Sequence, residues 1–215
     1  MFLKKSVDIL EFAATVILVT ASGALAPGPL FFATLTHGTK SGVRSGIAFA
    51  ISHTVVEFTL IMLFSLGLLT VASKPAVKTI IGILGGSVLI VFGALQIKNS
   101  FLYSQKPPEK KMMSSHHLFL IGLAFTGLNP YFILWWLTVG AHLIILSLSF
   151  AGLLGVIFMY ICHVWIDYVW LTSLSYFAKK GTTILGWMGY RILLGVFGGI
   201  LIYFGLTFLL PVLRI

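Results

Sequence analysis

Long apolar runs separated by short polar stretches set the pattern of the chain. A helix rising ~1.5 Å per residue needs ~20 apolar residues to cross ~30 Å of hydrocarbon. On that measure the sequence predicts six membrane spans, near 10–37, 45–71, 77–97, 118–141, 151–178 and 188–211. The ~10-residue polar/apolar alternation of a transmembrane barrel is absent, so the expected class is an all-α integral membrane protein. The first run follows Lys4 and Lys5, and Ala24-Leu25-Ala26 resembles a signal-peptidase site. Asp8 and Glu11 spoil the basic leader, Pro27 would follow the cut, and apolar residues continue past it. The span is therefore expected to be retained.

Composition strengthens this reading. Hydrophobic residues make up 59% and charged residues 9% of the 215 positions, against roughly 45–50% and ~25% in soluble domains. A soluble enzyme is excluded, and the expected location is the cell membrane, crossed several times. Cys162 is the only cysteine, so one copy can form no internal disulfide, cysteine metal cage or dithiol relay. The net charge of +9 lies at span ends and in connectors, where it sets topology rather than binding nucleic acid. With six spans, one side carries Lys4, Lys5, Lys74, Lys78 and Arg214. The other carries Lys40, Arg44, Lys98, Lys106, Lys110, Lys111, Lys179, Lys180 and Arg191. The richer side is expected in the cytoplasm, with both termini outside. The hydrophilic stretch 98–117 divides the chain into 1–97 and 118–215.

These halves repeat each other. His53-Thr54-Val55-Val56-Glu57 matches His163-Val164-Trp165-Ile166-Asp167, and Gly82-Ile83-Leu84-Gly85-Gly86 matches Gly195-Val196-Phe197-Gly198-Gly199. Phe92-Gly93 corresponds to Phe204-Gly205, and Pro29 to Pro130. Each half reads as a Pro-broken helix, a His/acid helix and a Gly-rich helix. Three spans per half would insert the second half upside down, the inverted repeat of many secondary transporters. The glycines are expected to serve close helix packing.

The breaks and the buried charges are the candidate chemistry. Pro27, Gly28 and Pro29, and Asn129 with Pro130, should interrupt their helices. The carbonyls of Gly23, Leu25 and Thr126 would lose their helical partners. The N–H groups of Phe31, Phe32 and Phe132 would form partly positive helix starts suited to a carboxylate. Ordinary proline kinks are the plain alternative. His53 and Glu57 share a helix face, as do His163 and Asp167. An acid at mid-membrane costs roughly 2.5–3.5 kcal/mol, so these residues are candidates for proton coupling. Structural pairing that fixes helix register is one alternative, and the four as ligands of a divalent transition metal is the other. Glu57, flanked by Val55, Val56 and Leu60, is expected to have few hydrogen-bond donors and to be the stronger coupling candidate. His37, His116, His117 and His142 read as interfacial. Trp135, Trp136, Trp187, Tyr103 and Tyr190 read as interface anchors, and Trp165 and Trp170, which flank the His163/Asp167 face, as lipid-facing or core residues, with lining a cavity as the alternative.

Ala26-Pro27-Gly28-Pro29-Leu30 followed by Gly38, Gly42 and Gly46, together with Gly122 through Asn129-Pro130 and the acid of the fifth span, resembles the LysE family of exporters. The resemblance covers nearly the whole chain and implies efflux of amino acids or related metabolites, usually against protons. The His-x-x-x-acid pairs depart from the best-known amino-acid exporters, which marks a divergent branch, and the wider superfamily also holds metal-ion exporters. The leading expectation is a proton-coupled antiporter of an amino acid or similar zwitterion, working by alternating access. Pro27, Gly28, Pro29, Phe31, Asn129, Pro130 and Phe132 would bind substrate, and His53, Glu57, His163 and Asp167 would carry the proton. A divalent-metal exporter and a non-transporting scaffold are the alternatives. No cofactor is expected. The expected partners are a small-molecule substrate and membrane lipid, with a homodimer as a candidate assembly.

Overall fold

The computed structural model describes residues 8–25, 28–68, 70, 74–102 and 113–213, and every regular element among them is helical. Helix α1 is Ile9–Ala24, capped by Asp8, whose carboxylate accepts from the N–H of Leu10. Helix α2 is Pro29–Ser41 and α3 is Val43–Leu63. They meet at Gly42, whose φ of +56° suits a residue without Cβ. A wide turn at Phe64–Leu68 follows, then α4, Pro75–Leu102. Helix α5 is Ser115–Gly127 and α6 is Pro130–Trp135. A π turn at Trp136–Gly140 leads into α7, a helical run over Ala141–Leu213.

The run of α7 is not straight. Gly152 has φ +59°, and Phe12 stacks on both Phe150 and Phe158, so the chain folds back there. It folds back again between Trp170 and Phe197. A straight helix would hold those two about 40 Å apart, yet they touch the adjacent rings of Phe31 and Phe32.

Among the described residues, four helical stretches are long and apolar enough to cross a membrane, or five with the bent pair α1 and α2 counted as one, against the six spans expected. One of the four, Pro130–Gly181, contains the Gly152 fold-back. The protein is a multi-pass membrane protein. Its lipid-facing character shows in large exposed apolar side chains such as Leu18, Phe101, Leu154 and Ile161.

Helix packing follows the small residues. The C-terminal part of α7 runs antiparallel to α4: Gly86 lies against Gly205, Gly93 against Gly198, and the Nε of Arg191 donates to the carbonyl of Ser100 at 2.8 Å. A Cβ on Gly93 would approach the carbonyl oxygen of Gly198 to 2.5 Å. The middle of α7 runs antiparallel to α3, where Gly46 lets Leu171 and Thr172 come close. Tyr160 donates to the carbonyl of Thr54 at 3.1 Å. These crossings leave the centre of the molecule to the two helix breaks.

Candidate functional site

The first break separates α1 from α2, whose axes differ by 70°. Gly28 is extended and makes no side-chain cap bond, and Pro29 needs no donor at the first helical position. The N–H of Phe32 bonds the carbonyl of Gly28 at 3.3 Å, so the helix start presents the N–H groups of Leu30 and Phe31. Ala26 and Pro27 lie outside the described residues, and with Pro27 the expected fate of the Gly23 carbonyl. The second break is closed by its own residues. Asn129 accepts from the N–H of Tyr131 at 3.1 Å through its side chain. Its own N–H donates to the carbonyl of Thr126 at 3.2 Å. Two expectations are thereby corrected: the Thr126 carbonyl keeps a partner through a tighter turn, and the N–H of Phe32, expected free, is taken by Gly28, while at the second start Asn129 caps the N–H of Tyr131. The breaks touch where Gly23 leaves room for the indole of Trp135, which a Cβ would meet at 2.6 Å.

Both His/acid pairs turn inward from α3 and α7 and meet beside the breaks. His53 Nε2 lies 3.3 Å from Glu57 Oε1, and His163 Nε2 lies 3.2 Å from Asp167 Oδ2. The shortest approach joins the halves of the chain: His163 Nε2 is 2.8 Å from Glu57 Oε2. Exposure is 2% for Glu57, 4% for His163, 5% for Asp167 and 7% for His53. The indole N–H of Trp136 donates to Glu57 Oε1 at 3.2 Å. The π turn sets that orientation, and Gly140 leaves space beneath the ring. Each histidine is held from behind by a threonine of the opposite half. His53 Nδ1 shares a hydrogen bond with Thr126 Oγ1 at 3.2 Å, and His163 Nδ1 with Thr20 Oγ1 at 2.9 Å. A hydroxyl both donates and accepts, so either threonine can serve its imidazole protonated or neutral.

The expectation that Glu57 sits among aliphatic groups with few donors is overturned, because helix crossing brings it both imidazoles and an indole. Trp136, expected as an interface anchor, is 1% exposed and part of the site. Trp135 and Trp170 line the same cavity, while Trp165 is exposed. Tyr103 and the side chains of Trp187 and Tyr190 lie outside the described residues. His116, His117 and His142 are exposed, and His37 is half-buried against Phe49.

A cavity of about 80 Å³ opens onto the cluster. Of the predicted site residues, Phe31, His53, Glu57, Asn129, Phe132, His163 and Asp167 line it. Gly28, Pro29 and Pro130 do not. They shape the breaks, and the Pro130 ring packs against Gly85 of α4. Thr20, which the sequence did not single out, and Trp135 and Trp136, which it read as interface anchors, complete the site. Two carboxylates and two imidazoles can be neutral overall with both histidines protonated, or with protons moved onto the acids. Burial strongly favours such balance, so the cluster can exchange protons with a cargo that brings charge of its own.

A family model for the LysE type translocator matches residues 21–211. No curated protein and no solved structure gives a match.

Proposed function

The chain belongs to the LysE type translocator family, and on that premise we propose that it exports an amino acid or a similar small zwitterion across the cell membrane in exchange for protons. Membership and the apolar helices support a membrane transporter. The observation that carries the finer reading is the meeting of both His/acid pairs in one buried cluster beside the two breaks. The open start of α2 supplies N–H donors and a partly positive helix end for a carboxylate. Glu57 and Asp167 supply acceptors for the ammonium or hold the proton that replaces it.

Two inverted three-helix halves, each crossing three times, would rock about this site. Reciprocity supports that arrangement. The histidine of each half bonds a threonine in the broken helix of the other. The Gly-rich helices of the two halves also pack on each other, Gly86 with Gly205 and Gly93 with Gly198. Purified protein in liposomes with an imposed pH gradient should accumulate at least one labelled amino acid. Failure across a full amino-acid panel, with intact folded protein, removes this reading.

A further inference from the structure

We propose that His53, Glu57, His163 and Asp167 form a binding site for one divalent first-row transition-metal ion. The inference concerns the site used for transport but does not depend on the cargo. Ligand atoms of His53, Glu57 and Asp167 all lie within 4.8 Å of one another, and His163 Nε2 stands 2.8 and 3.2 Å from the two acids. A tetrahedral zinc site with bonds of ~2.0–2.2 Å separates its ligands by about 3.3–3.6 Å, close to the 3.3 and 3.2 Å His–acid approaches within each pair.

Two further observations point to an ion. Glu57 Oε2, His163 Nε2 and Asp167 Oδ2 are buried and near one another, yet none is aligned for a hydrogen bond. Both imidazoles face inward through Nε2 and are held at Nδ1 by Thr126 and Thr20, the outer-shell arrangement that orients histidine ligands. The charge also balances. A divalent ion with two carboxylates and two neutral imidazoles carries no net charge, the same total as two imidazolium–carboxylate pairs. Binding then replaces two protons by one ion: the two Nε2–H bonds break, two metal–nitrogen bonds form, and about two protons leave. The mixed nitrogen and oxygen donors select a transition metal over magnesium or calcium, which take all-oxygen shells.

The test is a cobalt chloride titration of the full-length protein in detergent, without a polyhistidine tag. Visible d–d absorption should saturate at one ion per chain, vanish on adding zinc, and be accompanied by release of about two protons in weak buffer. Affinity should rise with pH because the ligands must be deprotonated. His53→Gln and Asp167→Asn should abolish the bands. Thr20→Val leaves every ligand in place and should weaken binding roughly 10–100-fold, which keeps the test open if the ligand variants misfold. Bands that persist in all three variants, or that disappear instead in a His116→Ala/His117→Ala protein, overturn the proposal, as does the lack of any saturable band. Loss of gradient-driven amino-acid export is read in liposomes and leaves this titration untouched.

Discussion

Glu57 is the residue on which both halves of the chain converge. One oxygen receives the Trp136 indole and faces His53, while the other faces His163. Asp167 faces His163 alone among those ion pairs. An amide at position 57 would turn an N–H₂ toward one of these partners and could neither hold nor release a proton. Glu57→Gln should therefore fold, bind cargo and lose transport driven by a pH gradient, while Asp167→Asn retains part of it. Gradient-driven uptake undiminished in both variants returns the acids to a structural role. The His/acid pairs were legible because spacing by four on an apolar helix leaves few interpretations. Thr20 and Trp136 were not. A threonine carries no mark in a span, a tryptophan near a span end reads as an anchor, and only helix crossing turns both toward the cluster.

At the scale of elements, prolines mark where helices break but not how the broken ends are satisfied. The same signal gave an uncapped start at α2 and a self-capped one at α6, because Asn129 carries an acceptor that Gly28 lacks. Glycine patterning was legible as packing, and its partners follow only from the fold. Gly93 faces the backbone of Gly198, whereas Gly199 has open space around it. Gly93→Ala should cost about 1–3 kcal/mol through overpacking, seen as a lower thermal midpoint in detergent. Gly199→Ala should leave the midpoint unchanged or raise it slightly through better helix propensity. Equal midpoints for the two variants would contradict the close crossing of α4 with the end of α7. The fold-back at Gly152 falls just inside the predicted fifth span rather than in the gap before it, and the helical run itself continues through it.

For the whole molecule, hydropathy records depth in the bilayer and says little about which helices are neighbours, so an all-helical membrane chain was readable and the meeting of the pairs was not. Charge adds the sidedness. Arg44 reaches the start of α5 by donating to Ser115 Oγ at 2.9 Å, Lys179 lies beside Gly42, and Arg191 holds Ser100 near the end of α4. These contacts gather the α2–α3 corner, the ends of α4 and α5, and the second fold of α7 on one basic side. On the rule that short basic loops face the cytoplasm, His116 and Lys180 are expected there and Lys74, before α4, on the opposite side. In a Cys162→Ser background, single cysteines at positions 116 and 180 should react with a membrane-impermeant thiol reagent in inside-out vesicles and stay protected in intact cells. A cysteine at position 74 should show the reverse. Opposite sidedness of positions 116 and 180 would break the crossing pattern proposed for the second half. A shared exposure of 74 with 116 would remove the odd number of crossings between them on which the inversion depends.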